Sequence, residues 1–78
     1  MTNLERYDRQ FIKMFKVNKE DLPTLKYRGI KAWDSLAHMD LMSEFEEMFD
    51  IQISTVDVMD FTDYNKGKQV LARYGVEI

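Results

Sequence analysis

Few side chains in this 78-residue chain are equipped for nucleophilic or metal chemistry. There is one histidine, His38, and no cysteine. The three serines are Ser35, Ser43 and Ser54. Ser35 and His38 stand three residues apart with Asp34 adjacent, a spacing that makes Ser35 and His38 neighbours on a helix. A Ser-His-acid unit also needs a pocket that excludes water and donors for an oxyanion. Nothing beyond a helix start offers these, so no catalytic site is expected, and His38 is expected to be exposed without a direct role. Asp57, Asp60 and Asp63 recur every three residues. A calcium loop of the EF-hand type needs acids two apart, then a glycine, then a glutamate, so no metal site is expected there. A cysteine-free chain has no disulfide framework and no thiolate metal site.

The elements that must position these residues read as helices. Leu4, Tyr7, Phe11 and Phe15 recur at spacings of three and four, which predicts a helix from about Asn3 to Phe15 with those residues on its buried face. Thr2 or Asn3 is placed to cap it, and Lys13 and Lys16 suit the negative pole at its end. Residues 16–33 read as a long connection, because Asn18, Pro23 and Gly29 all interrupt regular structure. One short helical turn after Asn18 is expected to stop before Pro23. Val17, Leu22, Leu25 and Ile30 are expected to pin the connection to the core. Connections this long are uncommon in small domains and are often functional.

Asp34 stands where an N-cap belongs, just ahead of the most strongly periodic stretch. Leu41, Met42, Phe45, Met48 and Phe49 form its buried stripe, and Asp40, Ser43, Glu44, Glu46 and Glu47 its polar side. This second helix is expected to end near Asp50, with Trp33 packed over its start. Ile51 and Ile53 alternate with Gln52 and Ser54 in a short extended stretch. Ser54 or Thr55 then caps a small third helix with Val56, Val58, Met59 and Phe61 as its apolar residues. Thr62 or Asp63 opens a fourth, with Tyr64, Val70, Leu71 and Tyr74 inward and Gly75 as its stop. Gly67 inside it costs roughly 1 kcal/mol relative to Ala, which predicts a close helix–helix approach there. The fold class expected is all-α: a small four-helix bundle of three main helices and one short helix, with a long first loop, in one domain over residues 1–78.

Forty-five per cent of the residues are apolar and five are Phe, enough for a packed core rather than a disordered tail. No apolar run exceeds three residues, so neither a membrane span nor a signal-peptide core is expected. The expected state is a cytoplasmic monomer. The net charge of −3 is unevenly spread. From Ala32 through Asn65 there are nine acids and no Lys or Arg, a stretch that repels nucleic acid and attracts basic protein surfaces. Asp40–Glu44 and Glu46–Asp50 are like-charge pairs four apart, each destabilising an isolated helix by about 0.2–0.5 kcal/mol. A helix shaped only for stability would intersperse Lys, so the acids are expected to serve recognition. Leu36 and Met39 lie off the main stripe and are expected to contact partners; methionine suits surfaces that adapt to several.

Asp34-Ser35-Leu36 at the start of an acidic helix, followed by Leu41-Met42 and by Glu46-Glu47-Met48-Phe49-Asp50-Ile51, resembles the acyl carrier proteins. With the length, the helix order and the long first loop, the resemblance covers essentially the whole chain. It implies that Ser35 carries a 4′-phosphopantetheine arm derived from coenzyme A, installed by a holo-carrier synthase (a phosphopantetheinyl transferase). It implies that Asp34 caps the helix and assists modification by helping to hold the metal ion that the synthase brings. It implies that Leu36, Met39, Asp40, Glu46, Glu47 and Met59 meet the basic surfaces of acyl-transferring and ketosynthase-type enzymes. The carrier itself catalyses nothing, and its thiol belongs to the arm. Lys31-Ala32-Trp33 precedes Asp34 where many members of the family have Gly-Ala. The Trp-Asp-Ser-Leu form resembles carriers of polyketide-type or specialised acyl pathways rather than housekeeping fatty-acid ones. A groove between the second and third helices, lined by Met42, Phe45, Val58, Met59 and Phe61, is expected to shelter a short acyl chain. A peptidyl or aminoacyl carrier is the alternative within the family; a cofactor-free acidic helical interaction module is the alternative outside it.

Overall fold

Side-chain caps mark the starts of the four α-helices. In the computed structural model, which describes residues 1–78, Thr2, Asn18, Asp34, Ser54 and Asp63 each immediately precede a helix. The helices are α1 (Asn3–Phe15), a 3-10 helix (Lys19–Thr24), α2 (Ser35–Phe49), α3 (Thr55–Asp60) and α4 (Tyr64–Ala72). There is no strand; a single antiparallel bridge joins Lys26 to Asp63. The chain is a small all-α bundle, and no helix is long and apolar enough to cross a membrane.

At α1 the capping box is complete. Thr2 Oγ1 accepts the Glu5 N–H at 3.1 Å and the Glu5 carboxylate accepts the Thr2 N–H at 2.9 Å, satisfying two donors that a helix start leaves open. Tyr7, Phe11 and Phe15 are buried as their spacing predicts. Leu4 is not: it lies in the first turn, before the packed part of the helix, and is 41 % exposed. The connection after α1 departs from expectation at Pro23, which lies inside the 3-10 helix rather than beyond it. The fixed φ of proline, near −65°, suits 3-10 geometry. Leu22 and Leu25 are buried. Reciprocal bonds, Tyr64 N–H to the Leu25 carbonyl and Tyr27 N–H to the Thr62 carbonyl, both 2.9 Å, tie the connection to the start of α4.

The core is largely aromatic. Tyr7 stacks on Phe45 with centroids 5.1 Å apart, and Phe11 meets Phe45, Phe61, Tyr64 and Trp33. Phe45, Leu41 and Met42 form the buried stripe of α2; Met48 and Phe49 only flank the core. Val70, Leu71 and Tyr64 bury α4, whereas Tyr74 follows its end and is half-buried. The Tyr74 hydroxyl accepts the Ser54 N–H at 2.9 Å and donates to Asp57. The Tyr7 hydroxyl donates to the Tyr64 carbonyl at 2.6 Å, and the Tyr64 hydroxyl donates to the carboxylate of buried Asp8. Burial first of all pushes both phenols above the ordinary tyrosine range.

Gly67 is the tight contact its position predicts. A Cβ there would lie 2.3 Å from Phe61 Cζ and 2.3 Å from the Tyr7 hydroxyl. Both atoms belong to fully packed rings that cannot yield. Helix propensity alone would make Gly67→Ala stabilising by about 1 kcal/mol, but overpacking of this kind costs about 1–3 kcal/mol. The expected outcome is net destabilisation, read as a lower denaturant midpoint; a raised midpoint would show that the approach is looser than described.

Candidate functional site

Ser35 is the first residue of α2 and is exposed. Asp34 is the N-cap predicted from sequence: its backbone is extended (φ −104°, ψ −171°) and its Oδ1 accepts the Ala37 N–H at 2.9 Å. The Asp34 carbonyl accepts the His38 N–H, also at 2.9 Å. The N–H groups of Ser35 and Leu36 have no backbone partner. These donors and the positive pole of α2 favour an anion beside Ser35.

His38 corrects an expectation. It is 8 % exposed and belongs to the buried side of α2. Its Nδ1 lies 2.9 Å from Trp33 Nε1, and its Nε2 lies 2.8 Å from the Val58 carbonyl oxygen. Indole N–H can only donate and a carbonyl can only accept. His38 therefore accepts at Nδ1 and donates from Nε2, and no ring nitrogen is left for Ser35. The spacing that made a Ser-His pair conceivable in sequence leaves the two residues on different tasks.

Trp33, expected to pack over the start of α2, is fully buried, stacked on Phe15 at 5.2 Å between centroids. Its bond to His38 and the bond from His38 to Val58 join three segments: the loop before Ser35, α2, and α3. Two residues that the sequence reasoning passed over complete the surroundings of Ser35. The Tyr27 ring lies 5.0 Å from the imidazole of His38. Arg28 has left-handed backbone (φ 62°), held by its N–H bond to the Trp33 carbonyl at 2.9 Å. Its Nε donates to the Tyr27 hydroxyl at 3.3 Å. That hydroxyl is held below the ordinary tyrosine range, first by Arg28 and next by the Ser35 hydroxyl. Arg28, Lys31 and Asp34 border an open depression of about 460 Å³ next to Ser35. No periodicity marks Tyr27 or Arg28; a left-handed arginine leaves no signal in sequence.

The surface leading away from Ser35 is apolar and acidic together. Leu36 is 80 % exposed and Met59 75 %, and Met39 is exposed as well. Val56, an apolar residue of α3, is 75 % exposed, and no residue of α3 is buried. A two-turn helix docked by one edge leaves its other side to solvent. The groove between α2 and α3 exists, with a volume of about 320 Å³. Met42, Val58 and Met59 line it as expected, joined by Met39, Glu46 and Ile53. Phe45 and Phe61 do not line it; they are fully buried.

Among the acids, Asp40 and Glu47 are exposed on α2. Glu46 is different. Its carboxylate accepts the Ile53 N–H at 2.8 Å, which fixes the turn between α2 and α3. The aspartates of α3 and the cap of α4 are also employed: Asp57 and Asp60 pair with Arg73, the latter at 2.6 Å, and Asp63 accepts the Lys66 N–H at 2.7 Å. The Tyr74 hydroxyl, followed by Arg73, holds the Asp57 carboxyl below the usual range.

Compared with known proteins, the chain finds no match: no family model, no curated protein and no solved structure.

The two neighbouring glutamates, equal in sequence, should separate on mutation. Glu46→Lys leaves the Ile53 N–H without its acceptor in a partly buried turn, an expected loss of about 1–3 kcal/mol. Glu47→Lys touches no such bond and should stay within about 0.5 kcal/mol of the parent. Equal denaturation midpoints for the two variants would contradict the structural role given to Glu46.

Proposed function

We propose that the chain is an acyl carrier protein. In this reading Ser35 receives a 4′-phosphopantetheine arm from coenzyme A, and acyl intermediates travel on it as thioesters between enzymes of fatty-acid, lipid or polyketide-type synthesis. The observation that carries the reading is Ser35: an exposed serine at the first position of α2, directly after the capping aspartate of Trp-Asp-Ser-Leu, with two unpaired backbone N–H groups beside it.

Attachment balances simply. Ser35 Oγ bonds to the coenzyme A phosphorus that bears the pantetheine chain. The bond from that phosphorus to the bridging oxygen breaks, adenosine 3′,5′-bisphosphate leaves, and the Ser35 proton passes to a base of the transferase. The surroundings of Ser35 fit the product. The open N–H groups of the first turn face a new phosphodiester charge, and Arg28 and Lys31 border the adjacent depression. Asp34 uses Oδ1 in the cap, which leaves Oδ2 for the metal ion that the synthase brings with coenzyme A.

The arm supplies the thiol, and the chain's own residues present and recognise it. Leu36, Met39 and Met59 offer an apolar contact, flanked by Asp40 and Glu47, to basic partner enzymes. Glu46 contributes charge to this face while holding the turn. The groove between α2 and α3 shelters a short acyl chain. The carrier works as a monomer in the cytoplasm.

Incubation with a broad-range phosphopantetheinyl transferase and coenzyme A tests the reading by intact mass. The parent should gain one phosphopantetheinyl mass and Ser35→Ala none, with its helical circular dichroism unchanged, because Ser35 supplies no cap bond. No addition to the parent would leave an acidic interaction module; addition to Ser35→Ala would move the site to Ser43 or Ser54.

A further inference from the structure

The outer face of α1 carries the opposite charge from that of α2. Arg6, Arg9 and Lys13 stand three and four residues apart, along one side of the helix, with Gln10 on the same side. With Met1 and Met48 they line an open cleft of about 260 Å³. No carboxylate lines it.

The cations of this cleft are unpaired. Every ion pair of the protein involves Asp57 or Asp60, and none involves α1. The carboxylates of α1 are occupied elsewhere, Glu5 by the Thr2 N–H and Asp8 by the Tyr64 hydroxyl. Arg6 is anchored: it donates to the Met48 carbonyl at 3.2 Å and lies over the Phe49 ring at 5.7 Å. Arg9 has only the Met1 sulfur, at 3.8 Å, and a thioether is a weak acceptor.

Gln10 adds an uncharged polar group to the cleft. It is 8 % exposed and lines the cleft, yet its amide takes part in none of the hydrogen bonds of the fold. No fully enclosed side-chain nitrogen or oxygen lacks a partner, so the Gln10 amide is not sealed in the core but opens onto the cleft. A side chain more than nine-tenths buried whose unpartnered amide emerges only into the cleft offers that amide to a polar ligand there. The neighbouring cations require that ligand to be an anion. A guanidinium fork, an ammonium and an amide N–H lining one cleft match the several oxygens of a phosphate.

We propose that this cleft binds a phosphomonoester, its phosphate held by Arg9 and Lys13 with the Gln10 amide donating to it, and Met1 and Met48 flanking the esterified group. The site is separate from Ser35 and does not depend on the carrier reading.

The test titrates inorganic phosphate into the ¹⁵N-labelled full chain at constant ionic strength, with acetate as the comparison anion. Phosphate should shift the Gln10 side-chain amide saturably, with a dissociation constant on the order of millimolar. The Arg9→Gln/Lys13→Gln double variant should keep its helical circular dichroism and bind at least about tenfold more weakly. Vesicles of phosphatidic acid or of phosphatidylcholine identify the source of the phosphate. Co-sedimentation with phosphatidic acid alone, lost in the double variant, assigns a lipid headgroup; saturable phosphate binding without co-sedimentation assigns a soluble phosphoester. Non-saturating shifts, equal shifts with acetate, or undiminished binding by the double variant would overturn the proposal.

Discussion

One imidazole holds the start of α2 in place. His38 accepts from the Trp33 indole and donates to the Val58 carbonyl, so a single buried side chain joins the loop before Ser35 to the helix that carries Ser35 and to α3 across the groove. A buried donor or acceptor left without its partner costs about 1–3 kcal/mol, and here two such groups rely on one ring. The arrangement also fixes the tautomer, because neither partner can exchange roles. Trp33 in turn stacks on Phe15 and meets Phe11, which couples the position of Ser35 to the aromatic core. Ser35 is held by packing beneath it and by polar bonds behind it, while its own side chain stays in solvent.

The remainder of the structure divides work between the two sides of each element. Phe45 and Leu41 face the core while Asp40 and Glu47 face outward on the same helix. The 9-residue α4 can pack closely because Gly67 presents no Cβ to Phe61 and Tyr7. α3 has one docked edge and otherwise offers Val56 and Met59 to solvent. Exposed apolar side chains next to acids form a surface of the composition that protein interfaces use. α1, by contrast, turns Arg9 and Lys13 outward, so the two ends of the charge imbalance seen in sequence sit on different helices.

Those parts of the fold that follow local rules were legible in the sequence. Asp34 as a cap, the stripe of Leu41, Met42 and Phe45, the inward face of α4 and the tight approach at Gly67 each depend on residue type and spacing within one or two turns. The failures share a cause: they depend on partners distant in the chain. His38 reads as a surface residue until Trp33 and the Val58 carbonyl, 20 residues on, are brought to it. Glu46 reads as one acid among several until the turn returns the Ile53 N–H to its carboxylate. Leu4 fits the helical period yet falls outside the packed length of α1. Pro23 marks a break only for an α-helix, and the chain uses a 3-10 turn instead. Around Ser35, the Asp34 cap and the start of α2 were legible; Tyr27 and Arg28, placed by a left-handed turn, were not.

Ser35 stands on a helix start tied to the core and to α3 through His38. The most direct test is ¹⁵N and ¹H NMR of the His38 ring and the Trp33 indole in the full chain near neutral pH. The two hydrogen bonds of His38 require a single tautomer with the proton on Nε2, an Nδ1 shift characteristic of an acceptor, and a Trp33 indole proton protected from exchange with solvent. A proton on Nδ1, a mixture of tautomers, or an indole proton that exchanges freely would contradict that arrangement.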